Sequence, residues 1–197
     1  MNKLGAHEVL ELHEVLSDAI HGLNTLKLYR PHAKDPQLQA LVDRHMSAMT
    51  MDYNNMVQMA THQNIPQAIP TRLGAAVTGM VPADRFQPAY GLRHPQTQSP
   101  APSIEEINDE DVMLCLVNCH KQTAALKMKA ALEMANPMLR RMVQQSANAS
   151  ADMAYEAFQA ANQRGIYQVP TLQETTQANF IHAYAAAPAG QHHMPLM

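Results

Sequence analysis

Three histidines and one aspartate are the residues of this chain best suited to bind a metal ion. They fall on predicted helices, at positions that face the inside of a helical bundle: His13, His45, Asp52 and His120. Imidazole nitrogen and carboxylate oxygen are ordinary ligands of zinc and iron, so the four groups could hold a single Zn or Fe ion. The alternative is a structural polar cluster in which Asp52 accepts a hydrogen bond from His45 or His120. We favour this alternative and assign no metal ligand.

The ligand pattern of a di-iron helical bundle is absent from the sequence. Such a centre takes a Glu from each of two helices and a Glu-x-x-His pair from each of the other two. Here Val42 stands three residues before His45, and Val143 stands three residues before Ser146. Both carboxylate–histidine pairs are therefore missing, and we expect neither a di-iron centre nor any other cofactor.

Motifs of other enzyme classes are absent as well. The chain has no Gly-x-Ser-x-Gly, no phosphate-binding loop and no dinucleotide fingerprint. Cys119 and His120 are neighbours on one helix, so their side chains diverge by about 100° and do not form a nucleophile–base pair. Cys115 lies four residues before Cys119, and the two are predicted to be reduced core thiols, with a cross-link between chains as the alternative. We expect a protein without enzymatic activity.

Four long helices, paired in two hairpins, are predicted to position these residues. The first covers about residues 3–29, and Pro31 prevents it from continuing. The second begins with Asp35 as N-cap and Pro36 as its first residue, and stops near Asn64. Their apolar positions alternate spacings of three and four, which is typical of a bundle. The expected core positions are Val9, Leu12, Leu16, Ala19, Leu23 and Leu26 on the first helix, and Leu38, Val42, His45, Met49, Asp52, Met56 and Met59 on the second.

The second hairpin repeats the first at an offset of about 100 residues. Its first helix opens at Ser103, with the spacing of a capping box. Its second helix starts at Asn136-Pro137, matching the cap and first residue of the earlier hairpin, and ends at Gly165. The pattern predicts a duplicated helical hairpin. The expected core positions are Val112, Leu116, Cys119, Thr123 and Leu126, followed by Leu139, Val143, Ser146, Ser150, Met153, Ala157 and Ala160.

Two sets of charged residues are predicted to face solvent. One row lies opposite the apolar stripe of the first helix and consists of His7, Glu11, Glu14, Asp18 and His21. The other is a local basic cluster of Lys127, Lys129, Arg140 and Arg141. We interpret this cluster as a solvated corner, with docking of a partner as the alternative.

Residues 66–103 differ in character from the helices, because they hold seven of the 13 prolines. A connection of this length suits a crossover between parallel elements at opposite ends of a bundle. The chain is therefore predicted to be all-α, a ferritin-like four-helix bundle of two helical hairpins joined by a long Pro-rich crossover. We expect one bundle domain made of residues 1–65 as the first hairpin, 66–103 as the crossover, 104–170 as the second hairpin and 171–197 as a tail.

Composition excludes several classes of protein. Among 197 residues there are 30 Ala and 15 Met but only 17 Val plus Ile, which favours helices over sheets. A net charge of -3 and the lack of Trp argue against a dedicated nucleic-acid binder. No apolar run of 18 residues is present, so no membrane span is predicted. Charged residues interrupt the first 14 positions, and we expect synthesis in the cytoplasm without a signal peptide.

Several short motifs resemble the spore coat protein F family of endospore-forming bacteria. The first half contributes Leu10-Glu11-Leu12-His13-Glu14 and Leu26-Lys27-Leu28-Tyr29. The second half is more specific: it contributes Leu126-Lys127-Met128, Ala131-Leu132-Glu133-Met134-Ala135-Asn136-Pro137, Leu139-Arg140-Arg141, Met153-Ala154-Tyr155-Glu156 and Gly165-Ile166-Tyr167-Gln168-Val169-Pro170. The resemblance covers roughly residues 3–65 and 104–172.

This resemblance implies a non-enzymatic structural or assembly component of the spore coat. It also implies a ferritin-like bundle, a location in the coat, other coat proteins as partners and possible homo-oligomers. It supplies no catalytic residues. The alternative function is a ferritin-like metal-binding bundle with a mononuclear Zn or Fe site.

Overall fold

The computed structural model describes residues 4–62, 86–94 and 97–187. These ranges contain five α-helices and two short 3₁₀ turns at Arg30–His32 and Ile104–Glu106. The helices are α1 (Ala6–Tyr29), α2 (Pro36–His62), α3 (Asp109–Leu132), α4 (Pro137–Gln163) and α5 (Glu174–His182). The predicted all-α class is therefore confirmed. Among the described residues, no helix combines the length and apolar character that a bilayer span requires.

Three of the predicted helix ends have the expected caps. The side chain of Asp35 accepts the N–H of Gln37 at 2.8 Å ahead of α2. Asn136 accepts from two backbone N–H groups at the start of α4. Gly165 follows α4 with φ +74°, in the left-handed region where glycine is favoured. The predicted stop at Asn64 lies outside the described residues.

The predicted start of the third helix is wrong. Ser103 precedes only the 3₁₀ turn and makes no side-chain cap, whereas α3 begins at Asp109 with Asn108 as its N-cap. The side chain of Asn108 accepts the N–H of Glu110, and the carboxylate of Asp111 accepts the N–H of Asn108. The capping-box pattern thus existed at two places in the sequence, and the second one starts the helix.

Contacts between helices define an up-down-down-up order. Asp18 on α1 bonds Thr123 on α3, and Glu8 near the start of α1 meets Asn136 just after α3, so α1 and α3 are antiparallel. His45 and Asp52 of α2 meet His120 and Lys127 of α3, and both pairs have the same separation of 75 along the chain. Helices α2 and α3 therefore run parallel, and the chain between them must return from one end of the bundle to the other.

Helix lengths support the predicted duplication. Both α1 and α3 have 24 residues, and both α2 and α4 have 27. The pair α3 and α4 makes the most extensive interhelical contact. Small buried side chains allow that close approach, and they are Ala130, Ala131, Ala147, Ala154, Ala157, Ala160 and Ala161.

The apolar core consists of two clusters rather than one continuous stripe. One includes Leu26, Val42 and Leu116, and the other includes Val15 and Met142. Polar side chains lie between these clusters on α3 and α4, and at His45 and Asp52 on α2, so the bundle has a polar layer. We define the polar layer by its members: His45, Asp52, His120, Thr123, Lys127, Ser146, Ser150 and Glu156.

The predicted stripe of α1 is displaced at its N-terminal end. Val9, an expected core residue, is 51% exposed, whereas Glu8 is buried. The carboxylate of Glu8 accepts the N–H of Asn136 and the N–H of Gly5, each at 2.6 Å. These bonds, that from Asn136 first, lower the pKa of Glu8. A buried anion thus ties the start of α1 to the turn between α3 and α4, and it turns Val9 outward.

Loss of the Asn136 cap should destabilise the bundle measurably. Asn136→Ala removes the acceptor for two N–H groups at the start of α4, and we expect the free energy of unfolding to fall by about 1 kcal/mol. Urea denaturation followed by circular dichroism measures this change. Asn148→Ala is the matched control, because Asn148 is exposed in the middle of α4. It should be neutral or slightly stabilising, since Ala has the higher helix propensity. Equal losses in both variants would contradict the cap.

Candidate functional site

Two buried histidines connect α2 with α3 across the bundle. His45 is 1% exposed and His120 is fully buried. Nδ1 of His45 lies 2.9 Å from Nε2 of His120, and the rings meet edge to face with centroids 4.8 Å apart. Because each ring nitrogen can donate or accept, one proton is shared along this contact, and its position depends on the other bonds of the pair.

A glutamate on α4 extends the histidine pair to a third helix. Oε2 of Glu156 lies 2.9 Å from Nε2 of His45, and Oε1 accepts from Nη2 of Arg44 at 2.5 Å. Burial acts to raise the pKa of Glu156, but the bonds to His45 and Arg44 outweigh burial, and the pKa is lowered. Glu156 is therefore an anion at neutral pH, and it favours a proton on Nε2 of His45.

The second histidine of the pair is held neutral. Burial, followed by the charges of His45 and Lys127, lowers the pKa of His120 to about 3. When Nε2 of His45 donates to Glu156 and its Nδ1 accepts, Nε2–H of His120 supplies the bond between the two rings. Nδ1 of His120 is buried and has no hydrogen-bond partner. The cluster is thus a hydrogen-bonded relay of two imidazoles and a carboxylate, in which Nδ1 of His120 has no partner.

A buried lysine forms the second cluster, two helical turns further along α2 and α3. Nζ of Lys127 donates to Oδ2 of Asp52 at 2.7 Å and to Oγ of Ser150 at 3.0 Å. Ser146 donates to the same oxygen of Asp52 at 2.6 Å. The side chain of Lys127 is 3% exposed and that of Asp52 is 18% exposed. The ammonium charge is therefore neutralised inside the bundle by Asp52 of α2, and Ser150 of α4 accepts a further hydrogen bond from it.

This geometry corrects the interpretation of two predicted surface groups. Lys127 does not belong to a solvated basic cluster, because its side chain points inward to Asp52. Asp18 does not lie on a purely solvated face either, since its Oδ2 accepts from the hydroxyl of Thr123 at 2.8 Å. Glu11 lies 3.8 Å from Lys129 and is only partly exposed. In each case the helix turns a polar residue toward a partner on another helix.

The two cysteines are free thiols in partly buried positions on α3. Burial, with a smaller contribution from Cys119, raises the pKa of Cys115 to about 11. Burial and the nearby charge of Asp18 also raise the pKa of Cys119. Since the thiolate is the reactive form, neither cysteine is poised for nucleophilic chemistry.

The structure brings together two of the four candidate metal ligands. His45 and His120 touch, but Asp52 is bonded to Lys127 rather than to an imidazole, and His13 is exposed. Leu12 is buried, and the side chain of His13, the next residue, points about 100° away from it around α1. Within residues 4–62, 86–94 and 97–187, no group of three or more His, Cys, Asp or Glu side chains is arranged to hold a metal ion.

Sequence reasoning missed Lys127 and Glu156 as members of the polar layer. A signal for Lys127 was available, because it follows His120 by seven residues, as Asp52 follows His45. A spacing of seven places residues on the same face after two turns. Glu156 has no such signal, since it adjoins Ala157 at the edge of an otherwise small-residue face.

Comparisons with known proteins find two matches. Residues 108–170, which contain α3 and α4, match a family model described as the Coat F domain. The chain is also 30% identical over 186 residues to the spore coat protein F-like protein YhcQ of Bacillus subtilis (strain 168). That alignment covers 93% of this chain and 81% of the relative. No solved structure matches the chain.

The ion pair of Lys127 with Asp52 predicts strong energetic coupling. Asp52→Ala leaves a buried ammonium without its counter-ion and should cost about 3 kcal/mol of unfolding free energy. Lys127→Met alone should cost less, because Ser146 still donates to a partly exposed Asp52. The double variant should be more stable than the sum of the single effects predicts, by about 1–3 kcal/mol.

A double-mutant cycle by urea denaturation measures this coupling. Glu14→Ala is the exposed control and should change the free energy of unfolding by no more than about 0.5 kcal/mol. Additive effects of Asp52→Ala and Lys127→Met would show that the buried pair does not exist in solution.

His120 predicts a loss of stability in mild acid. Its lowered pKa means that the unfolded chain binds a proton near the ordinary value of 6.5 while the folded chain does not. Stability is therefore fully present above that value and declines as the pH falls toward 3. The free energy of unfolding should fall by about 2 kcal/mol more in the wild type than in His120→Leu between pH 7 and pH 5.

Denaturation curves at the two pH values test this expectation. Val117→Ala, a buried neighbour on α3, is the matched control because it removes packing without removing a titratable group. It should lower stability equally at both pH values. If His120→Leu keeps the full pH dependence of the wild type, His120 is not the group responsible.

Proposed function

The chain belongs to the spore coat protein F family, and on that premise we propose that it is a structural or assembly component of the bacterial spore coat. The observation that carries this proposal is the alignment with the spore coat protein F-like protein of Bacillus subtilis, which runs over nearly the whole chain. The match of α3 and α4 to the Coat F domain supports it.

The chemistry of the polar layer favours a non-enzymatic role. The anion of Glu156 is bound by Arg44 and His45, and the cation of Lys127 is bound by Asp52 and Ser150. The described cysteine thiols have raised pKa values. Charges that neutralise one another inside a bundle stabilise the relative position of its helices, which is the property a building block requires.

We also propose that the protein works without a metal or other cofactor. The residues at the di-iron positions, Val42 and Val143, supply no carboxylate. Lys127 brings a positive charge to the place where Asp52 and Ser146 offer oxygen atoms, so a second cation there would be repelled. A single Zn or Fe ion at His120 is the alternative, and the unpartnered Nδ1 is the observation that favours it. Elemental analysis of untagged protein distinguishes the two, because the alternative requires one ion per chain.

Other coat proteins and further copies of this chain are the partners that we propose. A net charge of -3 supports neither nucleic acid nor an anionic surface as a partner. Exposed apolar side chains on the described surface are sites where protein partners can bind, and they include Leu28, Leu132, Phe180, Ile181 and Tyr184.

Localisation in sporulating cells tests the coat assignment. The chain, fused to a fluorescent protein and expressed in sporulating Bacillus subtilis, should form a shell around the spore. The signal should persist in released spores and be lost when coat protein is extracted. The fluorescent protein alone is the control and should stay diffuse. A diffuse fusion, or a signal confined to the spore interior, would reject a coat function.

A further inference from the structure

The end of α4 holds a segment of the crossover through its backbone. Oδ1 of Asn162 accepts the N–H of Ala89 at 2.7 Å, and Nδ2 of Asn162 donates to the carbonyl of Ala89 at 3.1 Å. The same Nδ2 donates to the carbonyl of Tyr167 at 2.9 Å. One side-chain amide therefore binds both polar groups of one residue and the chain that follows α4.

A second amide repeats this arrangement four residues further along the crossover. Oε1 of Gln168 accepts the N–H of Arg93 at 2.6 Å, and Nε2 donates to the carbonyl of Arg93 at 3.1 Å. Between the two amides, the N–H of Gly91 donates to the carbonyl of Val169 at 2.9 Å. Recognition uses main-chain groups throughout, and Gly91 has φ +89°, which other residues rarely adopt.

An aromatic cluster anchors the start of the same segment. Phe86 is 8% exposed and meets Tyr155 and Phe158 of α4 edge to face, each with ring centroids 6.1 Å apart. Phe158 in turn meets Tyr167 at 5.3 Å. We call residues 86–93 the strap, and Asn162, Tyr167, Gln168 and Val169 the strap receptor.

The receptor coincides with a motif on which the family resemblance depends. Gly165–Pro170 contains three of its four residues, and the Coat F match over residues 108–170 contains all four. The strap lies outside that match. A receptor formed by the matched region thus binds a segment that the match does not include.

We propose that the strap receptor binds the strap of a second copy of this chain, so that copies are linked by exchange of residues 86–93. The proposal rests on the coat function proposed above, because it supplies a way for identical copies to assemble. The receptor recognises backbone groups, and Tyr155 and Phe158 beside it contact the ring of Phe86. These contacts are the same whether the strap comes from the same chain or from a neighbour.

The lengths of chain on either side of the strap permit this exchange. Residues 63–85 separate α2 from the strap, and residues 94–108 separate the strap from α3. A stretch of 23 residues can reach at most about 80 Å, and one of 15 residues at most about 50 Å. Helix α2, with 27 residues, is about 40 Å long. The strap can therefore reach a receptor on an adjacent bundle.

Protein concentration decides between the two arrangements. A strap that belongs to the same chain as its receptor competes at an effective concentration of about millimolar. Exchange between copies therefore becomes favourable when bundles are packed at about that density, as in a protein layer. Exposed apolar side chains add surface that packed copies can bury, since Tyr90 and Leu92 of the strap are 63% and 57% exposed and Leu172, after the receptor, is 58% exposed.

Disulfide trapping between two variants tests the exchange. Tyr90 and Val169 are bridge partners, so their Cα atoms lie about 5 Å apart and cysteines there can be joined. One full-length variant carries Tyr90→Cys and the other carries Val169→Cys, both with Cys115→Ala and Cys119→Ala. The two are mixed at about 10 μM and about 1 mM and then oxidised. A single chain with both new cysteines shows that the variants fold and that the pair can form.

We expect the mixture to give a covalent dimer at about 1 mM, at least tenfold more abundant than at about 10 μM. Adding Asn162→Leu and Gln168→Leu should remove most of it, whereas Gln163→Leu, an exposed neighbour on α4, should not. No dimer at either concentration, while the single chain closes its disulfide, would overturn the proposal. A dimer that is unaffected by loss of both amides reflects random collision and would overturn it as well.

Failure of this experiment is distinguishable from failure of the coat function. The localisation experiment uses the wild-type chain and does not depend on strap exchange. A fusion that forms a shell around the spore, combined with no trapped dimer, would retain the coat function and reject the exchange of residues 86–93.

Discussion

Burial of the Lys127 ammonium group is the constraint on which the rest of the bundle depends. A charge in that position is tolerated only where oxygen atoms replace its lost water. Asp52 on α2 and Ser150 on α4 supply them, and both must be level with Lys127 on α3. Three helices are thereby held in one relative position along the bundle axis, which apolar packing alone would specify less sharply.

The histidine pair imposes the same alignment two turns away. His45 meets His120 as Asp52 meets Lys127, with equal separation along the chain, so the parallel course of α2 and α3 is fixed at two points. A parallel pair cannot be joined by a tight turn. The long crossover follows from the polar layer, and the docking of its residues 86–93 on the end of α4 follows from the crossover.

The polar layer supports the proposal that this bundle works without a metal centre. In a di-iron bundle, carboxylates on all four helices are held together by the metal ions. Here a lysine supplies the positive charge and is covalently part of α3. The helices are then aligned by side chains of the protein itself. The histidine relay and the ion pair share no hydrogen-bond partner. This supports the proposal that the protein is a building block rather than a catalyst.

The sequence by itself determined the helical class, the paired hairpins, the caps at Asp35 and Asn136, and the family, because these depend on local spacing and short motifs. It also identified His45 and His120 as inward-facing. Only the tertiary structure decided their partners: Glu156 bonds to His45, Lys127 bonds to Asp52, and Glu8 rather than Val9 is buried at the start of α1. The reason is that a helical period gives the direction of a side chain around its own helix. The axial register of two packed helices is set instead by contacts between residues far apart in the chain.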